Sequence, residues 1–223
     1  MPKPSQAQRL CNLLEDDIVE GRLPPGSRLD PAALEKKYNC SRTPVREAIQ
    51  QLAVSGLVQV FPKRGTFVAK LGVIELSERF EVMAELEALC ARLAARRITD
   101  AELTALHQVH EKCREKSEEG DVNAYYYENS LFHQCIYEAS HNTYLAQEAA
   151  RLHSALQPYR RMQLQAKHRL GRSFQEHQSI VDAIANRDED LAASRLRNHV
   201  MLQGERFNDL VATLQRMNQP QHA

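Results

Sequence analysis

The stretch that decides the fold of the N-terminal part is residues 41–68, SRTPVREAIQQLAVSGLVQVFPKRGTFV. Pro44 suits the first turn of a helix, where its missing N–H has no partner to lose. Gly56 ends the helical pattern, and two short β-rich runs follow it. They are joined by Pro-Lys-Arg-Gly at residues 62–65. The pattern therefore predicts a helix followed by a β-hairpin with a basic tip.

The polar residues of this stretch predict a contact with DNA. Hydroxyl and basic side chains begin the helix, and cations mark the hairpin tip. A winged helix-turn-helix places such a helix N-terminus in the major groove and its wing along the backbone or in the minor groove. A purely structural helix and hairpin is the alternative interpretation. The residues expected to form the interface are Arg28, Ser41, Arg42, Thr43, Arg46, Lys63, Arg64 and Gly65.

Charge is distributed unevenly although the whole chain is neutral, with 29 basic and 29 acidic residues. Residues 22–70 contain nine Lys and Arg against three Asp and Glu, whereas residues 71–223 contain 18 against 22. A positive module beside a slightly negative one predicts that only the first contacts phosphates. The five cysteines show no C-x-x-C spacing, and no apolar run reaches membrane-spanning length. We therefore expect reduced thiols in a cytoplasmic protein without a membrane segment.

The same stretch resembles the DNA-binding signature of GntR-type bacterial transcription regulators. The matching runs are SRTPVREAI, GLV and GTFV, in this order. One departure lies in the short helix that is predicted from Pro31 to about Tyr38. Many relatives place a charged, operator-contacting residue there, whereas this chain has Pro31-Ala32-Ala33, so Lys36 and Lys37 are its only partial replacements.

Beyond residue 72 the periodicity is that of helices only. We predict about six helices with short connections, an all-α antiparallel bundle, with a break at Leu170-Gly171. The chain is thus mainly α, with a winged helix-turn-helix domain at 1–70, a helical domain at 73–215 and a disordered tail at 216–223. The helical part resembles the FCD ligand-binding domain through FEVMAELEALCARLAARR, LFHQCIYEASHN and EHQSIVDAIANRDEDLAASRLRNHV. This resemblance implies effector binding and dimerisation.

Three histidines are candidate metal ligands. His177 and His199 lie at nearly equal distances before and after the turn at residues 186–188, so an antiparallel hairpin places them at the same height. A third helix can present His133 to them, and three converging imidazoles can bind a divalent metal. The alternative is that each is an ordinary polar residue with its own hydrogen bond.

The FCD resemblance implies a metal held by three histidines and an aspartate at these positions. Asn129 takes the place of the aspartate, one helical turn before His133. An amide oxygen can coordinate but contributes no charge. We therefore expect zinc, nickel or manganese together with an anionic effector, and Arg160 or Arg161 as the clamp for a carboxylate.

These features predict a ligand-responsive transcription regulator, a repressor in the first instance. It would bind an inverted-repeat double-stranded operator as a homodimer and respond to a small organic acid. The alternative is a metal-dependent hydrolase fused to a DNA-binding head. Such an enzyme needs a general base beside the metal. Glu176 precedes His177, but adjacent helical residues point about 100° apart, so we do not expect it to reach the site.

Overall fold

The computed structural model describes residues 5–164 and 168–201. Within them the chain is mainly α with one small sheet, as predicted. It divides into two compact units, of which the first contains residues up to 71 together with 151–158, and the second contains the rest. The predicted tail and the end of the last helix lie outside the described residues. Within the described ranges, no helix combines the length and apolarity that crossing a bilayer requires.

The first unit is a winged helix-turn-helix. Its sheet has the order β1-β3-β2, and both pairings are antiparallel. β1 was not predicted, since two residues are too short to show an alternating pattern. The elements are α1 Gln6–Val19, β1 Arg28–Leu29, α2 Pro31–Tyr38, α3 Arg42–Val54, β2 Val58–Phe61 and β3 Gly65–Val68.

A single apolar core fixes α3 and the hairpin. Leu14 and Ile18 of α1 pack with Val45 and Leu52 of α3 in one buried cluster. α3 ends as the sequence predicts, because Gly56 adopts a φ of 79° and Leu57 N donates to Leu52 O. This cap directs the chain into β2, so α3 is joined directly to the wing.

The second unit contains six helices within the described residues. Its last helix is α9, residues 189–201. The predicted break at Leu170-Gly171 was wrong, because α8 begins at Arg169 and includes both residues. The turn is made by His168, which takes a left-handed φ of 59°. The other helices are α4 Val73–Arg97, α5 Asp100–Glu119, α6 Val122–Ala139, α7 Thr143–Leu164 and α8 Arg169–Ala185.

Candidate DNA interface and buried histidine site

The N-terminus of α3 presents polar groups to solvent. Ser41 is the N-cap residue and its side chain makes no capping hydrogen bond, so the hydroxyl is available to a ligand. Arg42, Thr43 and Arg46 are exposed, whereas Val45 faces the core. A helix N-terminus carries partial positive charge, which adds to the two guanidinium groups. This end of α3 therefore suits a phosphate or a base edge.

The wing tip brings Arg28 to the residues of the hairpin. β1 pairs with β3, and the Arg28 Nε atom lies 3.3 Å from the position that a Cβ on Gly65 would occupy. Gly65 also has a φ of 110°, so a larger residue would be strained there and would collide with Arg28. Lys63 and Arg64 are exposed beside it. Three cations thus lie at the same end of the sheet, around the turn between β2 and β3.

None of these five cations forms an ion pair with another residue that the structure describes. Lys37, in contrast, is already occupied, because its Nζ donates to Asp17 Oδ2 at 2.8 Å. Asp17 also accepts from Tyr38 Oη, again at 2.8 Å. Lys37 therefore links α2 to α1. Of the two lysines proposed as replacements for an operator contact, only Lys36 is both exposed and free of such a bond among the described residues.

The second unit brings His133, His177 and His199 together from α6, α8 and α9. All three are buried, and one ligand atom from each lies within 4.8 Å of the others. Nε2 of His177 and Nε2 of His199 are 3.3 Å apart. The mirror spacing about the turn thus corresponds to a real contact between the last two helices.

Two carboxylates orient the imidazoles, one of them buried and the other partly exposed. Glu87 of α4 accepts from Nδ1 of His133 at 2.5 Å, and Glu176 of α8 accepts from Nδ1 of His199 at 2.7 Å. A carboxylate on Nδ1 fixes the tautomer and leaves Nε2 with its lone pair, which is the usual outer-sphere arrangement around a metal-binding histidine. Both histidines therefore direct their lone pairs toward the middle of the cluster.

Each carboxylate is in turn paired with an arginine. Arg160 Nη1 lies 3.2 Å from Glu87, and Arg169 Nη2 lies 2.9 Å from Glu176. Although burial acts to raise it, the bonds from His199 and Arg169 hold the pKa of Glu176 at about 2. Two Arg–Glu–His chains therefore converge on the site.

Burial keeps the histidines neutral. It is the main cause that lowers the pKa of His133 and His177, and it lowers that of His199 to about 4. The neighbouring imidazoles act in the same direction on His177 and His199. Neutral imidazole is the form that binds a metal, so few protons compete for these ligands near neutral pH.

Asn129 is the fourth candidate ligand. It is buried, one turn of α6 before His133, and its Oδ1 has no hydrogen-bond partner within the described part of the chain. A buried carbonyl oxygen without a partner is costly, so it is expected to meet a ligand or water. Three neutral imidazoles and one amide oxygen suit a divalent ion, and manganese would need further oxygen ligands.

The two arginines predicted to clamp an effector occupy different places. Arg160 reaches the histidine cluster, where its Nη2 lies 3.1 Å from Nε2 of His133. Arg161 is also buried but donates to Asn123 Oδ1 at the start of α6. The structure therefore brings Arg160 to the imidazoles. The hydrogen bond of Arg161 goes to Asn123 instead.

Sequence reasoning missed Glu87 and Arg169 and misjudged Glu176. Glu87 follows Met83 by four residues on the buried face of α4, and a charged residue in an apolar stripe is a signal that could have been noticed. Glu176 does reach the site, because it bonds to His199 on the neighbouring helix and does not need to share the direction of His177. Arg169 carries no comparable local signal.

Comparison with known families assigns both parts of the chain. The family described as bacterial regulatory proteins, gntR family, matches residues 6–68, and the FCD domain matches residues 78–202. The FCD match alone spans more than half of the chain. The DNA-binding signature and the helical bundle thus belong to recognised families in the expected order.

Relatives with similar sequences are named as transcription regulators. RspR, an HTH-type transcriptional repressor of Escherichia coli (strain K12), is 26% identical over 86% of this chain and 85% of its own length. GlaR, another repressor from that strain, is 28% identical over 84% of this chain and 89% of its own length. None of these names indicates an enzyme, so the hydrolase alternative is not supported.

A solved structure confirms the fold. E. coli McbR/YncC superimposes with a TM-score of 0.81 at 24% identity, covering 93% of this chain and 99% of that chain. The architecture of a winged helix-turn-helix followed by a helical FCD domain is therefore shared. On these matches the chain belongs to the GntR family of bacterial regulatory proteins, in the group that carries an FCD domain, and it is a DNA-binding transcription regulator.

Proposed function

We propose that the chain is a ligand-responsive repressor whose operator affinity is controlled by a small carboxylate bound at a metal in the helical domain. The observation that carries this proposal is the cluster of three buried, neutral imidazoles, two of which have their outer nitrogens bonded to carboxylates. Isolated histidines need only one partner each, and burying three together is costly unless they bind something.

On the DNA side, Arg42 and Arg46 read base edges or fix phosphates from the start of α3. Ser41 and Thr43 bond to the backbone, and Arg28, Lys63, Arg64 and Gly65 form the wing contact. Exposed cations without intramolecular partners support this assignment, since counterions on DNA are released when such groups approach phosphates.

In the helical domain, His133, His177, His199 and Asn129 hold zinc, nickel or manganese. The metal supplies open coordination positions for a carboxylate oxygen. Glu87 and Glu176 restore part of the charge that Asn129 lacks, but each is already balanced by an arginine. The site therefore retains positive charge and favours an anionic effector, with Arg160 placed to bind it and Arg161 further away.

A homodimer is the functional form, because one winged helix contacts too few bases to select a genomic site. The exposed face of α4 supports it. Val82 and Leu89 are about half exposed and line a groove of about 580 Å³, with Glu81 before them and Arg92 after them. An antiparallel second copy would place apolar against apolar and acid against base. Leu89→Glu should therefore shift sedimentation toward the monomer.

The test combines metal analysis, thermal unfolding and operator binding. Protein purified without a polyhistidine tag should contain zinc, nickel or manganese, and Asn129→Asp should raise the occupancy. A panel of small organic acids should raise the melting temperature of the parent protein, and the active acid should change the affinity for an operator selected from random DNA.

The matched control is the His177→Ala, His199→Ala variant. It should keep its operator affinity because α3 and the wing are untouched, but it should lose the melting shift and the response to the acid. Absence of metal from both the parent protein and Asn129→Asp would refute the metal site. Operator binding that no acid alters would refute the ligand response.

A further inference from the structure

Arg160 donates a hydrogen bond directly to an inward-facing imidazole nitrogen. Its Nη2 lies 3.1 Å from Nε2 of His133, while its Nη1 lies 3.2 Å from Oε1 of Glu87. Arg169, its counterpart on the other side, bonds to Glu176, which accepts from the outer nitrogen of His199. The two Arg–Glu–His chains are thus not equivalent.

The proton positions on His133 follow from its partners. Glu87, as a carboxylate, can only accept, so Nδ1 of His133 carries the proton. Nε2 then carries the lone pair. A guanidinium can only donate, so Arg160 donates into this lone pair. Each partner requires the same tautomer.

A metal ion bound to His133 needs the same lone pair. One sp² lone pair cannot serve a guanidinium proton and a metal ion together, and two cations at one nitrogen repel each other. We propose that Arg160 and a divalent metal are alternative partners of the His133 Nε2 lone pair, so that Arg160 sets the threshold for metal binding. This inference rests on the metal site proposed above.

The displaced guanidinium has a place to stay. Arg160 keeps its contact with Glu87 through Nη1, and its Nε has no hydrogen-bond partner within the described residues. After metal binding, Nη2 is also released while the side chain remains beside the site. Two donors on one guanidinium then suit a carboxylate, the pattern in which arginine binds most strongly.

Release of Arg160 orders the two binding events. Until a metal binds Nε2 of His133, the guanidinium is hydrogen-bonded to the imidazole, and fewer of its donors are available to an effector. Once the metal is bound, both the open coordination position and the arginine are available to the same carboxylate. The effector should therefore bind weakly without metal, and metal and effector should increase each other's affinity.

The experiment measures zinc affinity of the full chain by competition with a chromophoric chelator, without effector. Arg160→Met removes the competitor, and Arg160→Gln does so with a polar side chain. Both should bind zinc about 10- to 100-fold more tightly, as expected when metal binding no longer breaks a charge-assisted hydrogen bond. Arg161→Met is the matched control, since it removes a buried arginine from the next position, one whose hydrogen bond goes to Asn123. Its affinity should match that of the parent.

Loss of Arg160 leaves Glu87 without its counter-charge and should lower stability, but Glu87 keeps His133 as a hydrogen-bond donor. Melting curves establish the conditions under which each variant is folded, and zinc affinity is measured there. Zinc affinity of both Arg160 variants equal to that of the parent would overturn the inference and leave the metal site standing. Failure of all proteins to bind zinc would overturn both. A zinc-soaked crystal of the parent protein gives a test without substitution. Nη2 of Arg160 should have left Nε2 of His133, and an arginine still bonded there would refute the competition.

Discussion

Arg42 and Arg46 hold their guanidinium groups in water, whereas Arg160 and Arg169 hold theirs inside a helical bundle. The exposed pair has no counter-charge among the described residues, and the buried pair is matched by two carboxylates. Arg42, Arg46 and Arg160 are proposed to bind anions. The proposed anion is the DNA backbone for the exposed arginines and a small carboxylate for the buried one.

The difference shows how solvation constrains a binding site. Water stabilises an isolated exposed arginine, so the DNA interface needs no internal counter-charge before DNA binds. Removing an arginine from water costs several kcal/mol unless a carboxylate is hydrogen-bonded to it. Substitutions in the first region should therefore change binding and leave stability intact, while those in the second should change both.

The largest effect is expected for Glu87→Ala. The substitution leaves Arg160 buried without its counter-charge and should destabilise the protein by about 3–5 kcal/mol in denaturant unfolding. Glu85→Ala on the same helix is the control. Glu85 also pairs with an arginine, Arg197, but is exposed, so its loss should cost less than about 1 kcal/mol. Equal losses would contradict the contrast between buried and exposed pairs.

Asp17 is the buried charge of the DNA-binding unit, where it accepts hydrogen bonds from Arg22, Lys37 and Tyr38. Asp17→Asn should destabilise this unit by about 1.5–3 kcal/mol, since bonds to a charged group are lost. Operator affinity per folded molecule should not change. A loss of affinity in the fully folded variant would show that α1 and α2 contribute to DNA contact.

The same carboxylate predicts a pH dependence. Burial acts to raise its pKa, but its three donors lower it from 3.8 to about 2. The unfolded chain therefore takes up the proton first as the pH falls, so this stabilisation is present above about pH 4 and is lost toward pH 2. Unfolding curves across this range should show the loss in the parent protein, and a smaller slope in Asp17→Asn.

Single substitutions Arg42→Ala and Arg46→Ala should weaken operator binding by about 1–3 kcal/mol and relax specificity at one base pair. Melting temperatures should stay unchanged because both side chains are exposed. Fluorescence anisotropy with the operator and with single-base variants measures both quantities. Arg195→Ala, an exposed arginine of the helical domain, is the control. If the Arg42→Ala, Arg46→Ala double variant binds the operator with the affinity of the parent protein, α3 is not part of the interface.

Lys63→Ala should have the smallest effect. A lysine at the wing tip contacts a phosphate, so its loss should weaken binding to all sequences alike and reduce the salt slope by about 1. Titrations at several salt concentrations, on operator and unrelated DNA, measure this. A change confined to the operator would instead make Lys63 a base-reading residue.

The DNA-binding part was predicted nearly completely because its determinants are local. Pro44, Gly56 and the basic turn set the helix and the hairpin within one short stretch. β1 was missed, because it exists only through its pairing with β3. In the helical domain, short connections and apolar spacing indicated the six helices. The break predicted at Leu170-Gly171 was misplaced, because the turn lies at His168.

The family, the fold class and the meeting of His177 with His199 could be predicted without a structure, the last because a tight turn between two helices sets their relative height. The surroundings of those histidines follow from tertiary packing. Glu87 meets His133 across 46 residues, and Arg160 meets it across 27. Such contacts depend on how the three helices α4, α6 and α7 pack and rotate against each other. Helical periodicity gives the buried face of a helix, but packing decides which of its residues touch.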